Sequence, residues 1–329
     1  MTGRGGGGMG AYLLKRLAEA AAALMLVSML VFTGVYAIGD PVAMLLPPDA
    51  SPAAEAALRA DLGLDRSLPL QYARFVGDAL HGDLGRSFYY REPAIAVILE
   101  RLPATLELAL VAMVLAVGLG VPLGLLAGAR PGSLADRAIV TGSILGFSLP
   151  TFMVGLILIT VFAVWLGWLP SGGRGTVASV LGVRSSLWTA DGWSHVAMPA
   201  LNLAVFPMAF LVRLARSGMR DAMATDFVRF ARAQGLSRGH VVRLHVLKVV
   251  SIPIVTMIGL QFGVLIAFAV VTESIFSWPG MGKLIIDAIG QLDRPLIVAY
   301  ILVTSALFIA INLAVDLLYG VLDPRAQLR

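Results

Sequence analysis

Long apolar runs separated by shorter polar stretches dominate the chain. A bilayer core about 30 Å thick takes about 20 apolar residues of helix, and six segments are candidates for it: 17–38, 104–129, 138–169, 196–212, 249–271 and 296–321. The first carries one charge, Glu19, the second only Glu107, and the third none. The third run is too long for one untilted helix and contains Leu149 and Pro150. Proline removes an amide donor and clashes with the preceding turn, so a kink is expected near Pro150. The fourth run is short and holds Pro199, Asn202 and Pro207. Asp316 lies twenty residues past Leu296, about 30 Å along a helix, and so belongs at the far edge of the sixth span. The pattern predicts an all-α polytopic membrane protein with six transmembrane helices.

The polar segments between the spans set the orientation. Arg4, Lys15 and Arg16 precede the first span; Arg130 and Arg137 follow the second; eight cations lie between Arg213 and Lys248; Arg325 and Arg329 end the chain. The short segments on the other side, 170–195 and 272–295, hold only Arg174, Arg184, Lys283 and Arg294. Positive residues stay on the cytoplasmic side. The tails 1–16 and 322–329 and the loop 213–248 are therefore expected to be cytoplasmic, and 39–103, 170–195 and 272–295 extracytoplasmic. Segment 39–103 mixes six cations with nine acids and is too long to weigh in this rule. A cleaved signal peptide is the rival reading of the first span, with small residues around Tyr36, but the span is long for one and five others follow. The glycines from Gly5 to Gly8 read as a flexible tail.

Composition sharpens the class. The 329 residues are 58% hydrophobic and only 14% charged, with a mean hydropathy of +0.85. A soluble domain carries roughly a quarter of its residues as charges, so an ordinary cytosolic globule is excluded. The absence of cysteine excludes disulfides, thiol nucleophiles and Cys-ligated metals. The net charge of +5 follows the loop cations rather than a nucleic-acid surface. The nearest approach to a phosphate-binding P-loop, Gly282 and Lys283, has Ser277 and Leu284 where Gly and a hydroxyl are needed. There is no HExxH and no GxSxG, and His81, His195, His240 and His245 are scattered. No catalytic, cofactor or metal site is expected in this chain.

Two further patterns carry information. Gly120, Gly124 and Gly128 form a double GxxxG, which lets helices approach closely in lipid, within a subunit or between subunits. In 213–248, cations are interleaved with apolar residues at helical spacing, so that Phe227, Phe230 and Ala231 share a face. Gly235 can end that helix in a left-handed conformation, and Ser237 can cap a following one running on to Pro253. The resulting helix–turn–helix suits either anionic lipid or a soluble partner.

The run Asp226, Phe227, Val228, Arg229, Phe230, Ala231, Arg232, Ala233, Gln234, Gly235, Leu236, with His245 and Pro253 beyond, resembles the cytoplasmic "EAA" loop of ABC importer permeases of the dipeptide, oligopeptide and nickel branch. Similar stretches are Gly39 to Pro41, Leu62 to Asp65 with Pro69, Gln71 and Tyr72, Gly82 to Ser87, and Arg101 to Leu108. So are Glu273 with Phe276, Trp278 to Gly282, and Asp323 to Arg325. The eponymous glutamate–alanine–alanine is absent; Phe230 to Ala233 stand there.

The resemblance implies a type I ABC-importer permease fold and a subunit of the bacterial inner membrane that forms half of a pathway for peptides or a related small solute, nickel included. It implies a second similar permease, two ATPases that carry ATP and Mg, and an extracytoplasmic solute-binding protein as partners, with membrane lipid around them and no nucleic acid. The loop would be a coupling helix seated on an ATPase, with Phe227 and Phe230 as anchors, Arg229 and Arg232 at the rim and Gly235 at the turn. Segment 39–103, with amphipathic helices expected at 53–62 and 70–80, is either a docking region for the binding protein or a lid on the bundle. Segment 273–294 is either re-entrant, lining an outer vestibule, or anchored at the membrane surface by Trp278. Asn202, Gln261 and Asn312 are candidate pathway-lining groups and equally candidate interhelical hydrogen-bond partners. An ion-coupled secondary transporter is the alternative class, disfavoured by the scarcity of ionisable residues deep in the spans.

Overall fold

Helices make up most of the chain in a computed structural model, which describes residues 7–37, 42, 46–47, 49–61 and 63–322. The expectations that fall on Gly39 to Pro41, Leu62 and Asp323 to Arg325 lie outside the described residues. In chain order the helices are α1 (Gly7–Ala37), α2 (Pro52–Asp61), α3 (Leu68–Leu80), α4 (Ala94–Ala129), α5 (Leu134–Ser148) and α6 (Thr151–Leu158), which continues as a π-helical stretch, Ile159–Trp165. A hairpin of β1 (Ala178–Val180) and β2 (Val183–Ser185) precedes α7 (Ala190–Met223) and α8 (Asp226–Ala233). Then come α9 (Arg238–Val241), a π-helical turn Val242–Val246, α10 (Leu247–Ile275), α11 (Met281–Gly290) and α12 (Arg294–Leu322).

Five of these helices, α1, α4, α7, α10 and α12, are long and apolar enough to cross a membrane, and α5 with α6 makes a sixth span if the bent pair counts as one. The pair is bent by 105° at Leu149 and Pro150, a break much sharper than a kink. Proline at the N-cap of α6 denies the helix its continuing amide. The helix through the fourth span runs 34 residues, well past 196–212 at both ends, and accommodates Pro199 and Pro207 in its interior. At 1.5 Å per residue that is about 50 Å, longer than a bilayer core. α1 begins at Gly7, inside the glycine-rich stretch. The helix after Gly235 does not stop at Pro253 but continues through its π-helical turn into α10.

The chain divides into two compact units, one of Met1–Pro103 with Gly280–Ala310, the other of Ala104–Pro279 with Ile311–Arg329. In the first, α3 packs on α1 through Phe32, whose ring lies 5.4 Å from both Tyr72 and Phe75. The Tyr72 hydroxyl shares a 2.7 Å hydrogen bond with Ser28, so the one polar group on that face of α1 is satisfied. Ser67 and the proline at its second position start α3. Backbone amides of Gly63 and Leu64 return to carbonyls of Ala60 and Arg59, with Gly63 at φ +67°, closing α2.

The second unit is held by α7. Gly120, Gly124 and Gly128 of α4 face it every fourth residue. A Cβ at these positions would lie 2.9, 2.4 and 2.6 Å from the carbonyl oxygens of Met208, Val212 and Arg216. The double GxxxG therefore packs α4 on α7 within the chain. On another side of α7, Phe147 of α5 stacks on Phe206 at 4.9 Å and the Arg213 guanidinium lies 4.6 Å above the Phe147 ring. Leu158, Met198 and Phe276 form a buried core where α6, α7 and the end of α10 meet.

Candidate functional site

α8 is short and strongly two-sided. Val228 and Ala231 are buried at 2% and 4% exposure, whereas Phe227 and Phe230 are 52% and 63% exposed. Ala231 thus joins Val228 on the edge that seats the helix on its own chain, beside the two exposed aromatics. Asp226, Arg229, Arg232 and Ala233 are exposed beside the aromatics, with Arg229 Nη1 3.2 Å from Asp226 Oδ1. The helix ends in a Schellman motif: the Gly235 amide donates to the Arg232 carbonyl and the Leu236 amide to that of Ala231, with Gly235 at φ +85°. The His240 amide then reaches Ser237 Oγ at 3.4 Å, so Ser237 begins α9. The sequence pattern located this helix and its turn; it did not separate Ala231 from the exposed face, because only the packing of the neighbouring chain decides which edge of an apolar stripe is covered.

The candidate pathway groups do not form one cluster of contacts. Asn202 is fully buried and its Nδ2 donates to Thr272 Oγ1 at 2.9 Å, tying α7 to α10; its Oδ1 has no partner among the described residues. Gln261 is buried on α10. Asn312 on α12 is partly buried, and its Oδ1 also lacks a partner among the described residues.

The motifs at 82–87, 101–108 and 273–282 turn out to be polar clamps. In the first unit, the fully buried Asp293 carboxylate accepts from the Ser87 hydroxyl and from the amides of Phe88 and Tyr89 at 3.1 and 3.2 Å. It also accepts from the Leu296 amide, which makes it the cap of α12. The turn is shaped by Gly85, at φ +88°, whose amide donates to Asp83 Oδ1 and whose missing side chain leaves room for Pro295. Burial lifts the nearby Tyr90 phenol above its ordinary pKa, opposed by Arg101 and reinforced by Asp287.

In the second unit, Thr105 donates to the fully buried Glu273 at 2.7 Å and Trp278 Nε1 donates to the Ala104 carbonyl at 2.9 Å. Trp278 is 0% exposed, so it is a core residue and not a membrane-surface anchor. Glu107, the lone charge of its span, is 7% exposed and receives Arg174 Nη2 at 2.6 Å together with both Ser185 and Ser186. This locks the hairpin of β1 and β2 to α4. Asp136 is bidentately bound by Arg216, with Nε to Oδ1 at 2.6 Å and Nη2 to Oδ2 at 3.0 Å, and also accepts from the Gly132 amide. Sequence reasoning marked Glu107 as an unusual charge but not its partners, which lie 67 to 79 residues away. Asp293 gave no signal of its contact with residues 87–89, more than 200 residues away. Among the described residues no group of three or more His, Asp or Glu side chains gathers as a metal site.

Comparisons with known proteins cover this architecture end to end. Residues 120–328 match the family described as binding-protein-dependent transport system inner membrane component, and residues 9–109 match its N-terminal companion. The dipeptide transport system permease protein DppB of Escherichia coli K12 is 37% identical over 333 residues, covering 96% of this chain and 98% of that one. The di/tripeptide permease DppB of Pseudomonas aeruginosa is 40% identical, covering 92% and 94%. The glutathione transport system permease protein GsiC of Salmonella paratyphi A is 38% identical, covering 95% and 97%. Among solved structures, the inward-facing MetNI methionine ABC transporter superposes with a TM-score of 0.55 at 16% identity, over 70% of this chain and 97% of its own, and shares the fold. The chain belongs to the binding-protein-dependent transport system inner-membrane components, the multi-pass permease subunits of ABC importers.

Proposed function

We propose that this subunit forms half of an inward pathway for short peptides and couples it, through α8, to cytoplasmic ATPase partners that carry ATP and Mg. The observation that carries the reading is the exposed aromatic pair of α8, Phe227 and Phe230, presented on a helix whose adjoining edge is seated on the chain itself. Large exposed aromatics ringed by charge are a hot-spot arrangement for a protein partner. Charge placement supports cytoplasmic termini and a cytoplasmic 213–248 loop, with 39–103, 170–195 and 272–295 outside. The peptide cargo is supported by relatives named for dipeptides, di/tripeptides and glutathione. A second permease, two ATPases and a solute-binding protein complete the assembly in this reading. Membership of an ABC family removes the ground for an ion-coupled secondary transporter.

Work is done only if the ATPase prefers one state of the permease over another, since equal affinity shifts nothing. The test is co-purification of the ATPases with the tagged chain, alongside ATP-dependent uptake of a labelled dipeptide. Phe227→Asp and Phe230→Asp should each reduce ATPase recovery by about tenfold, a hot-spot loss, while insertion of the chain is unchanged. Full recovery of the ATPases with both variants would sink the assignment of the anchors.

A further inference from the structure

Five arginines, Arg66, Arg74, Arg86, Arg91 and Arg294, converge on a single cavity of about 790 Å³ in the unit built from α1, α3, the turn before α4, and the start of α12. Two acids also line it, and both are engaged locally. Asp83 Oδ1 accepts the Gly85 amide, and Asp78 sits 3.9 Å from Arg74 on the same helix. Arg86 donates one hydrogen bond to the Arg91 carbonyl, which aims its side chain across the turn and leaves its other donors available. Arg66, Arg74, Arg86 and Arg91 are all solvent-exposed. The cavity therefore holds a surplus of three positive charges in a concave wall, which focuses the field on an anion. Guanidinium forks match the oxygens of a phosphate.

Apart from Gln71 and Ser87 the remaining wall is apolar and includes Phe32, Val35, Phe75 and Phe88. A bare anion has no use for it. Val35 closes the apolar run Leu14–Val35 of α1, and Arg294, Pro295 and Val298 lie in the first turns of α12. The cavity is thus at the level where both apolar spans end, which is where phospholipid headgroups lie. α3, between them, is amphipathic and exposes Leu68, Leu70 and Leu80, the pattern of a helix lying in the interface.

We propose that this cavity is a binding site for an anionic phospholipid, its phosphate held by the arginines and the top of an acyl chain laid against Phe32, Phe75 and Phe88. The assignment rests on the membrane reading and not on the identity of the cargo. It gives 39–103 a lipid-clamping role in addition to docking or covering.

The test uses the assembled importer, reconstituted in nanodiscs of equal palmitoyl-oleoyl phosphatidylglycerol and phosphatidylcholine, with retained lipid counted by native mass spectrometry after transfer to detergent. The native assembly should retain phosphatidylglycerol over phosphatidylcholine by about a hundredfold, given roughly a factor of five for each of the three surplus cations near an anionic lipid. Combined Arg66→Gln, Arg74→Gln and Arg91→Gln should bring the ratio to parity with ATPase partners still recovered. Arg184→Gln, a cation outside the cavity, should leave the ratio unchanged. Equal retention of both lipids by the native assembly, or a preference that survives the triple substitution, would overturn the proposal. Displacement of the lipid by excess inorganic phosphate would overturn the acyl-chain contact and assign the site to the bare anion. Cross-linking of these arginine positions to the solute-binding protein without any lipid preference would assign the cavity to an acidic protein segment instead.

Discussion

Asp293 ties two distant parts of the first unit together. Its carboxylate takes three donors from residues 87–89 and caps α12, all without exposure to water. Buried donors left without an acceptor cost about 1–3 kcal/mol each, so Asp293→Ala should destabilise the chain by roughly 3–5 kcal/mol, the range for breaking a buried charged network. Asp293→Asn keeps one acceptor oxygen and should lose about half as much. Thermal unfolding in detergent measures the loss, and limited proteolysis should first cut at 82–93 in the alanine variant. A turn that stays protease-resistant would show that Gly85 and the Arg86–Pro93 bridge hold it unaided. An Asp ahead of α12 is a local mark of a helix start, but nothing near Asp293 in the chain predicts its hold on residues 87–89, which lie more than 200 residues away. Glu107 was legible only as an anomaly, a charge in an apolar span that must find a partner somewhere.

The helices themselves were readable where apolar periodicity alone decides. The two amphipathic helices of 39–103 form at Pro52–Asp61 and Leu68–Leu80, close to the expected 53–62 and 70–80. Hydropathy failed at the ends of α7, because a helix continues into water wherever Arg213, Arg216 and Arg220 can be solvated or paired, and no change in helical spacing marks the border. It also failed for the angle at Pro150, which depends on what the two arms pack against. The glycine ladder shows the converse: the sequence revealed the close approach but not the partner, and the structure supplies α7. Gly124→Ala puts a methyl 2.4 Å from the Val212 carbonyl oxygen, against backbone that cannot swing aside. Overpacking of this kind costs about 1–3 kcal/mol, so the variant should melt earlier in detergent and lose yield. Gly118→Ala on the same helix meets nothing within 4 Å and should be neutral or gain up to about 1 kcal/mol from helix propensity. Equal behaviour of the two would mean that α4 and α7 are looser in the membrane than this packing.

At the scale of the whole molecule, the coupling role proposed for α8 turns on how that helix is joined to the spans. α8 is joined to α10 through Gly235, a Ser237-started turn and the π-helical stretch Val242–Val246, with no residue to spare as a flexible linker. The turn is fixed by two carbonyl–amide bonds and one positive φ. A Cβ at Gly235 meets no atom within 4 Å, so Gly235→Ala acts through the backbone alone, at about 1–2 kcal/mol for a left-handed residue. That penalty is too small to unfold the chain and falls on the joint that leads from the exposed aromatics to α10. On the coupling role proposed for α8, ATPase recovery should stay near native in Gly235→Ala, because Phe227 and Phe230 are untouched, while dipeptide uptake per ATP hydrolysed falls severalfold. Phe227→Asp should do the reverse, losing the ATPase itself. Reconstituted assemblies assayed for hydrolysis and uptake together separate the two. Native uptake per ATP in Gly235→Ala, with its turn shown to be altered by hydrogen exchange at Gly235 and Leu236, would mean that the angle between α8 and α9 is not what carries the stroke.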